Sequence, residues 1–243
     1  MTLRRFMVGT ATASLLAALG STVLHAPPLR AQGPLATPGV GSGLPPLDAG
    51  YPLPPVPKES LRNANYEMEA RLDPEKHTLD GKLVLTWRNT TDRPLDTFPF
   101  HLYWNAFRNN LSTSAREART RLGSRRGTPD ERDFGWISIS SVRLVGETAA
   151  DLTATLRYVQ PDDTNLDDRT VVEVKTPAPV APGATARFAI DWTSLIPYGT
   201  VGRSGWVHDY NFIVQWFPKI GVFWKGQWNA HQFHRSGEFF ADY

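Results

Sequence analysis

The sequence predicts an all-β fold: a twisted β-sandwich with saddle-like antiparallel sheets, preceded by a signal peptide and a Pro/Gly-rich linker. Three observations predict it. From Asn65 onward apolar and polar residues alternate in short runs, the period of a half-buried strand. Turns rich in Asx, Gly and Pro separate these runs. No stretch of the mature chain sustains a long helical period, and short strands at such spacing bury their apolar faces by packing sheet on sheet in one domain.

Composition bounds the rest. A chain of 243 residues with 41% hydrophobic content can build an ordinary globular core. The 26 Lys and Arg nearly balance the 24 Asp and Glu, so no field demands nucleic acid or an anionic membrane as partner. Cysteine is absent, which excludes disulfides, thiolate zinc sites and cysteine nucleophiles.

Arg4 and Arg5 precede an apolar run from Phe6 to Leu24 broken only by small residues, the charged-then-apolar layout of an export signal. Residues 1–31 therefore read as a signal peptide cut after Ala31, which sends the mature chain to the periplasm or the extracellular space; the alternative is a retained transmembrane anchor, against which stand Gly9, Gly20 and several hydroxyls in the apolar run. Residues 32–60, with Pro45-Pro46 and Pro54-Pro55, read as an extended linker. Residues 61–243 form the β-sheet domain.

Within that domain Tyr66, Met68, Ala70 and Leu72 share one face, opposite Glu67, Glu69 and Arg71, as a half-buried strand requires. Asp73-Pro74 forces a turn, and Asp80-Gly81 reads as a hairpin turn before a strand whose Leu83, Leu85 and Trp87 face inward. Leu95 to Trp104 reads as a further strand in which Pro99 marks an edge or a bulge. Arginines then accumulate, among them Arg116, Arg119, Arg125 and Arg126. Glu117, Asp130 and Glu131 interrupt them and aromatics are scarce, so the stretch reads as a solvated loop with a helical turn at Ser114 to Leu122 rather than a nucleic-acid patch.

Strands resume at Trp136 to Leu144 and at Leu152 to Val159. In the acidic turn that follows, Asp163, Asn165 and Asp167 have the spacing of a calcium loop's start. Asp168 stands where glycine is needed and Glu173 comes one residue early, so a polar hairpin turn is the reading. Thr170 to Val174 is the next strand, Pro177 to Gly183 a turn, and Ala186 to Thr193 a strand with Phe188, Ile190 and Trp192 on one side.

Two constellations test for catalysis. His231 and His234 would share a face only on a helix, and no acidic base lies between them as in H-E-x-x-H, so they read as packing or surface histidines. Gly202-Arg203-Ser204-Gly205-Trp206 echoes G-x-S-x-G but carries Trp206 in place of the last glycine, without the strand-turn-helix setting that the motif needs.

The run Gln215-Trp216-Phe217-Pro218-Lys219, then Trp228-Asn229 and Gly237-Glu238-Phe239-Phe240-Ala241-Asp242-Tyr243, resembles the later part of the amino-terminal domain of aminopeptidase N-type zinc metallopeptidases (gluzincins). The resemblance covers roughly residues 63–243. It implies a non-catalytic domain that shapes a substrate cleft, because that family's G-x-M-E-N loop and H-E-x-x-H helix do not occur here. By this resemblance the chain carries no catalytic residue and no metal ligand. Zinc belongs to a downstream catalytic domain, the implied partner, and the second partner is the amino terminus of a peptide substrate. A glutamine or glutamate on this domain binds that amino group in the family, which brings in Gln215 and, beside it, Trp216 as substrate-binding candidates. The T-Q-x-x-x-x-x-A-R spacing before the F-P pair is missing here. The last segment, Gly237 to Tyr243, reads as the start of a strand. The alternative function is a free-standing exported β-sandwich binding module for carbohydrate or peptide, with Trp206, Trp216, Trp224 and Trp228 as its ligand face.

Overall fold

A computed structural model describes residues 63–122, 130–199 and 204–237. The stretches read as signal peptide and linker, and the aromatic segment from Glu238, lie outside the described residues. In chain order the elements are β1 (Ala64–Asp73), β2 (Thr78–Arg88), β3 (Leu95–His101), α1 (Thr113–Leu122), β4 (Trp136–Leu144), β5 (Ala150–Asp151) and β6 (Arg157–Tyr158). Then come β7 (Val171–Val180), β8 (Thr185–Leu195), β9 (Gly205–Val207), β10 (Tyr210–Phe212), β11 (Lys219–Ile220), β12 (Val222–Trp224) and β13 (Gln227–Asn229).

One sheet has the order β1-β2-β8-β4-β5 and the other β11-β3-β7-β6, and every pairing between these strands is antiparallel. Two hairpins, β9–β10 and β12–β13, complete the set. Strict alternation explains why the sheets stack. Leu83, Leu85 and Trp87 of β2 and Phe188, Ile190 and Trp192 of β8 are buried on one face. They meet Phe98 and Phe100 of β3 and Val172 and Val174 of β7 in a single apolar cluster. Phe98 and Phe188 touch across the sandwich with ring centroids 5.0 Å apart. Burial of each such side chain is worth about 1.5–3 kcal/mol, so this layer dominates stability.

The all-β sandwich thus stands, with local differences that have physical reasons. Gly81 is no turn residue: it sits inside β2, opposite Ala70 and Trp192, and the reversal is made by residues 74–77. Strand β1 buries its face only in its first half, since Leu72 is exposed at 37% where the sandwich no longer covers it. Pro99 lies between two strands rather than at an edge. Its carbonyl accepts the Gly221 N–H at 2.9 Å, beyond the two-residue β11 ladder, so the N–H that proline lacks is missing where that ladder has ended. Residues 103–107 turn into a 3-10 helix instead of extending the strand to Trp104.

The stretch from Leu152 to Val159 is not one strand: β5 ends just before it, and it divides into a 3-10 turn at residues 153–155 and the two-residue β6. Strand β7 runs through Pro177 and Pro179, because its register against β3 jumps between Lys175 and Val180 and the prolines occupy that irregularity. Helix α1 matches the expected helical turn. Its first turn carries no acidic residue of its own; Ser112 Oγ accepts the Ala115 N–H at 3.2 Å, and the buried Asp168 accepts the Thr113 N–H at 3.0 Å.

Candidate functional site

After β10 the chain leaves the sheets, and residues 213–218 and 230–237 cross the sandwich mostly without regular structure. Apolar anchors hold them. Trp216 packs on Trp192 at 5.9 Å and on Phe217 at 5.2 Å, Trp228 on Trp87 at 5.8 Å and Phe98 at 5.9 Å, and Phe233 on Tyr103 at 4.6 Å. Each ring fills a place that the sheets leave open, which is why an irregular segment keeps one path.

The first candidate residue, Gln215, adopts a left-handed backbone with φ +59°, a conformation that costs a residue other than glycine about 1–2 kcal/mol. Its Oε1 accepts a hydrogen bond from the Lys219 ammonium at 2.6 Å. Trp216 beside it is half-buried, and its carbonyl accepts the Ser194 hydroxyl at 2.8 Å, so its backbone is tied to β8. The two candidates are neighbours in the chain with different surroundings: the Gln215 amide oxygen meets an ammonium, and the Trp216 ring packs on Trp192.

The second site joins residues distant in sequence. His231 and His234 do not lie on a helix. His231 Nδ1 is 2.6 Å from Asp162 Oδ1, and His234 lies between two carboxylates, with Nδ1 2.7 Å from Glu117 Oε1 and Nε2 3.3 Å from Asp162 Oδ2. Between the histidines, Gln232 is buried and fully used. Its Oε1 accepts the N–H groups of Asp162 and Asp163, and its Nε2 donates to Thr113 Oγ1 and Asp163 Oδ1. The backbone adds the Gln232 N–H to Asp162 Oδ2 at 2.6 Å and the Arg235 N–H to Glu117 Oε2 at 2.8 Å. The acidic turn is therefore a docking loop: Asp162 is engaged by imidazole and backbone groups, Asp163 by the Gln232 amide and the Thr113 hydroxyl, and Asp167 by Arg116. Among the described residues no His, Asp and Glu converge as a metal's ligands would.

Electrostatics follow from this geometry. Burial opposes ionisation of Asp162, but the hydrogen bonds from His231 and from the Gln232 N–H outweigh it and hold the carboxyl below its ordinary value. Burial likewise works against Glu117 and Asp163. The His234 and Arg235 bonds overcome it at Glu117, and those from Asn165, Gln232 and Thr113 at Asp163, so both carboxyls are lowered. The Glu117 hydrogen bond raises His234 above the ordinary imidazole value, against partial desolvation and with help from Asp162. Beside His234, an open cleft of about 600 Å³ is bounded by Thr113, Arg116, Glu117, Thr120 and Asp163.

Ser204 is buried and satisfied: its Oγ donates to the Val214 carbonyl at 2.7 Å and accepts the Val214 N–H and the Trp104 indole N–H. It staples the chain and is not poised as a nucleophile. Of the four tryptophans proposed as a ligand face, Trp206 stacks on His77 at 3.4 Å and packs on Tyr198, while Trp216 and Trp228 pack on the core. Trp224, exposed at 56%, sits at a hairpin tip. Sequence reasoning missed Glu117 and Asp162 as partners of the histidines, and Gln232 as the residue that ties the acidic turn to helix α1. The acidic turn and the His-x-x-His pair were both visible signals, but 69 to 117 residues separate the bonded pairs.

No family model matches the chain, and no curated protein matches it. Among solved structures, a mutant of the M1 zinc metallopeptidase from Deinococcus radiodurans is similar at 18% identity and a TM-score of 0.30, over 58% of this chain and 22% of that one. The chain thus spans under a quarter of that enzyme's length. The CBM3a-L domain with flanking linkers from scaffoldin cipA of the Clostridium thermocellum cellulosome is similar at 12% identity and a TM-score of 0.31, over 73% of this chain and 94% of that one. A family 3a carbohydrate-binding module from the same scaffolding is similar at 13% identity and a TM-score of 0.27, over 68% of this chain and 98% of that one. The likeness to a metallopeptidase is distant, and at these scores none of the three assigns a function.

Proposed function

We propose that this chain is the non-catalytic, cleft-forming amino-terminal domain of an exported aminopeptidase N-type zinc metallopeptidase, acting with a downstream catalytic domain that supplies the zinc. One observation carries the reading. Gln215, the residue that the resemblance singles out, is held in a strained backbone and already accepts a hydrogen bond from an ammonium, that of Lys219, at 2.6 Å. A peptide's free amino group would make the same ammonium-to-amide bond. Strained residues concentrate where a side chain must be aimed, and Trp216 supplies the rigid neighbour.

The resemblance places the chemistry elsewhere. The histidines are bonded to carboxylates rather than grouped as ligands, and Ser204 serves the backbone. The alternative, a module binding carbohydrate or peptide on a tryptophan face, draws less support because Trp206, Trp216 and Trp228 each pack against different rings.

Turnover of aminoacyl chromogenic substrates by the purified chain, with its zinc content measured alongside, tests the proposal. We expect neither turnover nor stoichiometric zinc, since without the H-E-x-x-H helix no bound water is activated. Chelator-sensitive hydrolysis by homogeneous chain would overturn it.

A further inference from the structure

We infer that His234 is a proton-operated clasp: as the imidazolium it bridges Glu117 on α1 and Asp162 on the loop between β6 and β7, and its deprotonation loosens residues 231–235 from the sandwich.

The geometry carries the inference. His234 presents Nδ1 to Glu117 at 2.7 Å and Nε2 to Asp162 at 3.3 Å, so both ring nitrogens face carboxylate oxygens. An ionised carboxylate only accepts, and a neutral imidazole has one N–H. The neutral ring can therefore satisfy one carboxylate, and its other nitrogen then points a lone pair at a negative oxygen. Only the doubly protonated ring donates at both ends. The contacts are charge-assisted hydrogen bonds, the stronger kind, and they join three elements that are far apart in sequence.

The surrounding charges set the direction. Helix α1 turns Glu117 toward the ring, with Arg116 alongside the same cleft. The loop contributes Asp162 and Asp163, and His234's own segment contributes His231 and Arg235. Arg116 is engaged by Asp167 at 2.8 Å, and His231 shares Asp162. The carboxylates thus dominate what the ring meets, consistent with its raised pKa. A group raised on folding contributes stability that is complete below its unfolded value and is lost as pH rises through the folded value. The Gln232 and Arg235 N–H bonds do not titrate with the imidazole, so the segment loosens locally while the sheets hold. Because Glu117 and His234 border the cleft, loosening also widens it.

Hydrogen exchange of the full chain, corrected for intrinsic rates, tests the clasp. As pH rises from about 6, near the ordinary imidazole value, to about 9, protection of the Gln232 and Arg235 amides should fall several-fold while that of β8 stays constant. In His234→Gln the same amides should start less protected and show no such fall. Glu117→Gln, which keeps the shape and removes one charge, should move the wild-type transition to lower pH. The inference is overturned if wild-type protection at these amides is the same at both ends of the range, if β8 loses protection in parallel, or if the fall persists unchanged in either variant.

Discussion

The indole of Trp192 lies directly on the backbone of Gly81, so close that a β-carbon on that glycine would come 2.2 Å from the ring. Trp192 is fully buried between the sheets and Gly81 is its partner across β2 and β8. The glycine is there to admit the ring. We predict that Gly81→Ala forces the indole aside and costs about 1–3 kcal/mol, the usual range for overpacking a core. Thermal melting of the purified chain should show a loss of about 2–4 °C per kcal/mol, and an unchanged melting point would refute the packing role.

Gln232 ties two loops and a helix together through four side-chain hydrogen bonds. Gln232→Leu leaves the Asp162 and Asp163 N–H groups without their side-chain acceptor in a part-buried place, at a cost of about 1–3 kcal/mol. Urea unfolding should register it as a lower midpoint. A neutral result would mean that water replaces the amide.

Asp162, Asp163 and Glu117 are all held below their ordinary values in the folded chain. Their contribution is present above the unfolded carboxyl range and is lost as pH falls through the folded values, because the unfolded chain takes up protons first. The urea midpoint should therefore drop from about pH 6 to about pH 3, where carboxylates titrate, and drop less in Asp162→Asn. Equal pH dependence in the two proteins would show that this carboxyl does not drive the loss.

At Gln215 stability and use pull apart. Gln215→Gly removes the cost of a left-handed backbone and should stabilise the chain by about 1 kcal/mol. The same change deletes the amide that meets the Lys219 ammonium. In a protein that includes the catalytic domain, KM for peptides with a free amino terminus should rise while kcat changes little. A variant that is both stabler and kinetically unaltered would remove Gln215 from the substrate site.

Alternation made much of the fold legible: the inward faces of β2 and β8 follow from which residues are apolar, because one sheet face is dry. Gly81 and Pro99 misled for a shared reason. Both are punctuation by local rules, yet a ring from β8 needs the first, and a ladder that stops after two residues tolerates the second. The candidate site was legible only in pieces. His231, His234 and the acidic turn stood out locally, but their pairing depends on how the segment after β13 crosses the sandwich, which no local period encodes. Gln215's backbone was invisible because nothing in the Gln-Trp-Phe-Pro run demands a positive φ.

The central claim is that these β-sheets serve a catalytic domain carried on the same polypeptide. Its most direct test is the mass and peptide map of the native protein, captured from its source with an antibody raised against the β-sheet domain. We predict a polypeptide well above the 27.1 kDa of this chain, containing G-x-M-E-N and H-E-x-x-H peptides and copurifying with zinc and aminopeptidase activity. A native polypeptide whose peptides all map within these 243 residues, with no such activity associated, would contradict the claim and favour a free-standing binding module.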